Sequence, residues 1–296
     1  MLERHEAFLS GQQENDLFYQ TWTLPHPAEG TVVISHGLAE HSDCYHRLAL
    51  NLGDWGWNTV AWDLRGHGQS SGKRGCVSNI LEMSRDLRTL SQLVTQSPET
   101  TEPLVLFGHS LGGQICLRGL LEYGNMGFSA LVLSSPALGL KVKVPAYKER
   151  LARWVSDWIP ELTMHNELDY RDLSRDENQL RAYETDPLRH DKISPRLYLG
   201  MLENFEEIPK RAQDIQIPTL MQLAGQDRIV DSHAAQRLFE QMGSELKVLR
   251  IYHDSHHEIY NDFDRDEALK DLKDFLSRIK KQKSNKSKIN LSRKRV

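Results

Sequence analysis

From about residue 30 the chain alternates short apolar runs with longer stretches whose apolar positions recur every three or four residues. TVVISHG (31–37), NTVAWDLRGHG (58–68), PLVLFGHS (103–110), ALVLSSP (130–136) and PTLMQLAGQD (218–227) have the length and near-continuous apolarity of strands covered on both faces. Each runs out into Gly, Ser, Asp or His, where a strand exits into a loop. Between them, segments such as DCYHRLALNLGDWG and ILEMSRDLRTLSQLV carry helical spacing. This alternation predicts an α/β architecture, a mostly parallel sheet with helices on both faces. Ligands of such sheets collect beyond the C-terminal strand ends, where the polar termini would gather. HEAFLSG and DLFYQTW predict an antiparallel hairpin at the sheet edge.

The rhythm breaks between the strands at 130–136 and 218–224, where some eighty residues show helical patterning and no clear strand. There KERLARWVSDWIPEL sets Leu151, Trp154, Val155, Trp158 and Ile159 on one helical face. An insertion of this size between core strands predicts a helical cap over 139–212. The core is then 1–138 with 213–279, followed by a tail over 280–296.

Composition adds little to the fold and something to the setting. The chain has 296 residues, 39% hydrophobic and 26% charged, with a net charge of −4. That suits a globular protein with a sizeable core. No apolar run is long enough to span a membrane, and MLERHEAFLSG lacks the apolar stretch of a secretory signal. Cys44, Cys76 and Cys116 form no CxxC pair and no even disulfide framework, which predicts a cytoplasmic setting. The tail KKQKSNKSKINLSRKRV holds eight Lys or Arg and no acid, leaving a body of about −12. It reads first as a solvated, disordered tail, and second as a peripheral tether to anionic membrane. The acidic body argues against nucleic acid.

The chemistry concentrates in LVLFGHSLGGQ. Gly108, Ser110 and Gly112 form G-x-S-x-G directly after an apolar run and directly before a helical one. A sharp strand-to-helix turn lifts a serine oxygen above the sheet, and the helix N-terminus offers N–H groups to a developing oxyanion. A hydroxyl needs a base held by a carboxylate, and in this fold class the chain order is serine, acid, histidine. GQDRIVD supplies Asp227 or Asp231 after one strand, and YHDSHHEIYN supplies His253, His256 or His257 after the next. Ser255 and Glu258 read as a capping box that starts a helical turn. His256 and His257 would then point about 100° apart, so that only one could face Ser110.

HGLAEHSDCYHRLA, WDLRGHGQSSGKRG, FGHSLGGQ, AGQDRIVD and HHEIYND, in this order, resemble the monoacylglycerol lipase and lysophospholipase branch of the α/β-hydrolases, a serine aminopeptidase S33-like group. YETDPLRHDKIS resembles a cap motif of the same group, and the likeness spans roughly residues 5–280. The resemblance implies a cofactor- and metal-independent serine esterase acting on a small-molecule lipid ester through an acyl-enzyme. It implies Ser110 as nucleophile, Asp227 as acid and His257 as base, with Asp231 left as a helix cap. The oxyanion hole would be the amides of Leu38 and Leu111, with His36 and His109 holding those turns. Glu40 matches a glutamate that meets the polar head of the substrate, but Cys44 stands where that branch has an arginine. Arg47 or His46 is then the nearest substitute. Trp154 and Trp158 are candidates for the wall of an acyl tunnel or for contact with a lipid surface. A thioesterase, an aminopeptidase or a short-chain carboxylesterase would share the fold, and a binding module without catalysis is the remaining alternative.

Overall fold

A computed structural model describes residues 2–10, 16–141, 146–159 and 161–293, with backbone alone for 146–149, 151 and 284–293. Gly11 of the predicted hairpin, the Leu151 side chain and residues 294–296 lie outside the described residues. The strands of the main sheet are β1 (Glu3–Ser10), β2 (Asp16–Thr23), β3 (Gly30–Ser35), β4 (Trp57–Trp62), β5 (Leu104–His109), β6 (Ala130–Ser134), β9 (Thr219–Ala224) and β10 (Lys247–Tyr252). They lie in the order β1-β2-β4-β3-β5-β6-β9-β10. β1 and β2 form the predicted antiparallel hairpin at one edge, with Glu3 opposite Thr23. β2 joins β4 antiparallel, and every pairing from β4 to β10 is parallel. The chain is an α/β protein as its apolar runs predicted.

Successive strand residues serve opposite layers. Val33, Leu106 and Leu131 face one core with α2 (Ile80–Gln96), α3 (Leu111–Tyr123) and α7 (Ser232–Gln241). Val32, Ile34, Val105 and Phe107 face another with α1 (His46–Asp54) and the first turns of α8 (Arg265–Arg293). β3, β4, β5 and β9 are buried at every position, which is why they read as runs rather than as alternation. Leu272, Phe275, Leu276 and Ile279 anchor α8, and the helix continues to Arg293 through most of the segment read as a disordered tail. That stretch has no Gly or Pro and many good helix formers, so nothing in it stops a helix already nucleated by packing.

Between β6 and β9 lie α4 (Ala146–Trp158), α5 (Glu177–Thr185) and α6 (Pro195–Lys210), with one pair of two-residue strands, β7 (Met164–His165) and β8 (Lys192–Ile193). These strands are too short to leave a period in the sequence. The insertion is tied to the core by polar contacts: His41 Nε2 to Asp186 Oδ2 at 2.7 Å, Ser194 N to Gly75 O at 2.7 Å and Glu258 N to Leu173 O at 2.8 Å. α4 packs on α6 through its small residues, Ala152 and Ser156, both buried, and Arg196 Nε donates to Ser156 O. The large residues of the predicted apolar face point outward instead, with Trp154 59%, Trp158 73% and Ile159 53% exposed.

Candidate active site

Ser110 sits between β5 and α3 with φ 50° and ψ −119°, a region that a residue with a Cβ occupies at a cost of roughly 1–3 kcal/mol. The flanking glycines explain how the turn closes. A Cβ on Gly112 would lie 2.2 Å from Ser35 O, and one on Gly108 would lie 2.6 Å from Gly113 Cα. The turn is pinned by Ser110 N donating to Ser134 O at 3.0 Å and by Ser110 O accepting from Gln114 N and Ala137 N. Nearly the whole serine is buried, at 8% exposure.

The carboxylate and the imidazole arrive from the ends of β9 and β10. Asp227 Oδ1 accepts the amides of Ile229 and Val230 at 2.9 Å, and Oδ2 faces His257 Nδ1 at 2.7 Å. Burial opposes the charge on Asp227, but His257 and the two amides outweigh it and hold the carboxyl below its ordinary pKa. Burial likewise pulls His257 down, yet the Asp227 charge and hydrogen bond win and raise it above 6.5. Nδ1 therefore carries the proton, and Nε2 is the basic atom. Ser110 and His257 line one small cleft together with Gly37, Leu38, His109 and Glu40. Among the described residues, no oxygen accepts the backbone N–H of either Leu38 or Leu111. Both amides are thus available to a developing oxyanion.

Two neutral histidines brace these turns. His36 Nε2 accepts from Leu64 N at 2.9 Å, which leaves Nδ1 to donate to Gly37 O at 2.7 Å. His109 Nδ1 donates to Ser134 O at 3.0 Å, and burial lowers the ring to about 4. Neither is poised to carry a proton at neutral pH. Glu40 Oε2 accepts Gly37 N at 2.7 Å and Tyr45 OH at 2.9 Å, so it shapes the Leu38 loop besides lining the cleft.

Ser110 also opens onto a second, apolar cavity of about 140 Å³ lined by Leu38, Ala137, Leu140, Ala152, Met164, Leu168, Tyr198, Met201, Ile229 and Val230. Trp154 and Trp158 are not part of this wall. On the polar side, Arg189 Nη1 lies 3.5 Å from Glu258 Oε1, and its guanidinium packs 4.3 Å from the Tyr183 ring centre. Burial and the nearby Glu40 charge push Glu258 up, while Glu40 itself, facing His109 and Arg189, is held well down. His41, Cys44 and Asp186 could offer three metal ligands within 4.8 Å of one another. The donor chemistry does not fit a cation: His41 is committed to Asp186, and burial pushes the Cys44 thiol far up beside the Arg189 charge.

The protein family described as serine aminopeptidase, S33, matches residues 26–266. The chain belongs to that family. Monoacylglycerol lipase of Mycolicibacterium smegmatis is 30% identical over 270 residues, 91% of this chain and 95% of that one. Phospholipase YtpA of Bacillus subtilis is 27% identical, over 86% of this chain and 97% of its own. The crystal structure of Paleococcus ferrophilus monoacylglycerol lipase superposes with a TM-score of 0.79 at 31% identity, over 94% and 99% of the two chains. The fold is the α/β-hydrolase fold, and this S33 member is a carboxylic ester hydrolase.

Of the sequence candidates, the structure brings Ser110, Asp227, His257, Leu38, Leu111 and Glu40 to one place. Asp231 caps α7, its Oδ1 accepting His233 N. His253 is exposed, and His256 donates its amide to Asp262. The capping box does not form: Ser255 Oγ donates to Asp264 at 2.6 Å, residues 255–258 are irregular, and the helical turn is Ile259–Asn261. Glu258 is drawn away by Arg189 and Asn261, so ion pairing at the site overrides local capping. The two proposed substitutes for the missing arginine line the adjoining basin with Cys44 and Arg189 but not the Ser110 cleft: Arg47 is exposed, and His46 Nδ1 accepts from Trp22 Nε1. Arg189 and Glu258 are the site residues that the sequence reasoning missed. Both stood inside quoted motifs, but which charges meet across 69 residues is not periodic information.

Proposed function

We propose that this S33 hydrolase cleaves carboxylic esters of single-chain lipids, monoacylglycerols or lysophospholipids, by a Ser110–His257–Asp227 mechanism. The observation that carries this reading is that Ser110 lines both an apolar cavity and a cleft holding Glu40 and Arg189, as a substrate with one acyl chain and one polar head requires. The relatives named monoacylglycerol lipase and phospholipase support the same substrate class.

In this mechanism Ser110 Oγ attacks the ester carbonyl while His257 Nε2 takes its proton. The imidazolium gains from Asp227, which also holds the Nδ1–H tautomer. The Leu38 and Leu111 amides receive the negative charge on the carbonyl oxygen. His257 then returns the proton to the departing alcohol and leaves an acyl-enzyme. Water repeats the sequence, with His257 again as base, and frees the fatty acid and Ser110. No metal or cofactor enters.

The insertion serves as the cap, since its side chains supply much of the acyl wall. Contact with anionic membrane through the basic end of α8, in a cytoplasmic setting, belongs to the same reading. Among the described residues no helix is long and apolar enough to cross a membrane.

A panel of monoacylglycerols, diacylglycerols, lysophospholipids, thioesters, aminoacyl amides and short p-nitrophenyl esters tests the proposal. We expect single-chain lipid esters to lead, with Ser110→Ala lowering kcat/KM by about 10⁴ or more and abolishing fluorophosphonate labelling. Full turnover by Ser110→Ala would end the mechanism. Preference for amides or thioesters would end the substrate assignment.

A further inference from the structure

The loop after β3 carries Cys44 where the resembling branch has an arginine, yet the polar side of the site still contains a guanidinium. It comes from the opposite direction. Arg189 belongs to the insertion, 145 positions further along, and its side chain is only 10% exposed. It lines the cleft that holds Ser110 and His257, and it lines the adjoining basin together with Cys44. Cys44 and Arg189 thus face one basin from opposite sides, the cysteine as a short, partly buried neutral thiol and the arginine as the charge.

A bland role for Arg189 would be to clamp the insertion to the core. The molecule contains such a clamp elsewhere, and the two arginines differ. Arg65 is seized by Asp86 at 2.6 and 2.7 Å and by Glu82 at 2.8 Å, which leaves little for a ligand. Arg189 touches Glu258 at 3.5 Å and packs against the Tyr183 ring, and among the described residues it makes no ion pair with Glu40. A guanidinium has five N–H donors in a planar fork, so a loosely held one facing a cavity retains donors for a ligand. Glu40 and Glu258 beside it supply acceptors. Adjacent hydroxyls, each able to accept from the guanidinium and donate to a carboxylate, match that set, whereas an anionic head would meet two buried carboxyl groups.

We propose that Arg189 is the specificity-determining residue for the polar head, a guanidinium moved from the core loop to the insertion and made possible by Cys44. It rests on the lipid-ester reading given above. One consequence follows directly. The head site is built jointly by the core and the insertion, so it is complete only where the two pack together.

The experiment compares glyceryl and ethyl esters of the same fatty acid on the full chain. The quantity read is the ratio of their kcat/KM values in wild type, Arg189→Met, Arg189→Lys and Cys44→Arg/Arg189→Met. We expect Arg189→Met to lower the glyceryl-to-ethyl ratio about tenfold or more, the usual effect of removing a charged hydrogen-bond donor. Arg189→Lys should recover part of it, and the double variant should recover most of it from the original loop position. Equal losses on both esters would show a merely structural arginine and overturn the proposal, as would a double variant no better than Arg189→Met. Fluorophosphonate labelling of each variant reports an intact Ser110 site. A wild type that cleaves neither ester refutes the lipid-ester reading. A wild type with no preference for glyceryl over ethyl refutes the head-site inference while leaving ester cleavage standing.

Discussion

On one side of Ser110 the wall is mostly apolar side chains drawn from the Leu38 loop, the insertion and the turn after β9, with His165, Asn166, Glu167 and Ser194 among them. On the other it is a handful of buried ionisable groups, Glu40, Arg189, Glu258, Asp227 and His257, with Arg189 beside Glu258 and His257 bonded to Asp227. The two regions obey different physics. Apolar contact is non-directional and scales with area, so its losses are gradual and any residue of suitable size can serve. Buried charges depend on the partner, so removing one strands another and the loss is abrupt. Acyl-chain selection should therefore be broad and easily tuned. Chemistry and head-group selection should be narrow and fragile.

The strongest way to break that contrast is at the junction. Asp227→Asn leaves an isostere that accepts the Ile229 and Val230 amides but no longer fixes or charges His257. We expect kcat/KM to fall about 10³–10⁴-fold for every ester, whatever its chain or head. The pH profile sharpens the point. Nucleophilic attack needs neutral His257, whose pKa lies above 6.5 because Asp227 outweighs burial. In wild type, kcat/KM should fall tenfold per pH unit below that value and level off above it. In Asp227→Asn the main opposition to burial is gone, with only the Glu258 and Glu40 charges left to raise the ring, and the midpoint should fall. Stability runs the other way: the raised His257 pKa stabilises the fold fully below about 6.5, and that contribution is lost as pH rises through the folded value. A wild-type midpoint unmoved by Asp227→Asn would mean that the carboxylate does not govern the base.

A smaller, graded effect is expected on the apolar side. Ala152 is 6% exposed and reaches the acyl cavity from α4. Ala152→Phe should remove room for two or three methylenes, worth roughly 0.8 kcal/mol each, or about 15- to 60-fold on long-chain esters. Butyrate esters should be nearly untouched. A uniform loss at all chain lengths would show that the wall is as exacting as the charged side.

The same contrast explains what could be read in the sequence. Strands buried on both faces write themselves as apolar runs, so β3 to β6 and β9 were legible. The serine turn was legible because its backbone tolerates only glycine at 108 and 112. The base and acid required the likeness to a known branch, since spacing alone left Asp231 and His256 open. The proposed polar head site was legible only at Glu40, and that through the likeness. Arg189 looks like any charged loop residue until the insertion folds over Cys44, and Glu258 looks like a capping residue until Arg189 competes for it. The outward turn of Trp154 and Trp158 was one of two readings left open for a related reason: the helical period identifies a face but not whether small residues on another face give closer packing.

Those outward residues set the smallest expected effect. Trp158 and Trp154 are exposed, with ring centres 6.4 Å apart, and Met164, 46% exposed, reaches from the surface to the wall of the acyl cavity. The basic end of α8 follows Ile279, the last residue of that helix buried among the described side chains, and there Lys280 pairs with Glu29 and Lys283 with Glu102 at the surface. Such pairs contribute about 0–1 kcal/mol each, so the fold should survive truncation after Ile279. Neither Trp158→Ala nor the truncation should change turnover of a soluble short ester by more than about twofold. Vesicles separate the two. Truncation should weaken binding to anionic vesicles in a way that salt abolishes, because charges near a lipid surface act within a Debye length. Trp158→Ala should weaken binding to neutral and anionic vesicles alike, independent of salt, because it removes apolar area. Vesicle binding unaffected by both would confine the lipid to the cavity at Ser110 and leave the protein's outer surface without a part in delivering it.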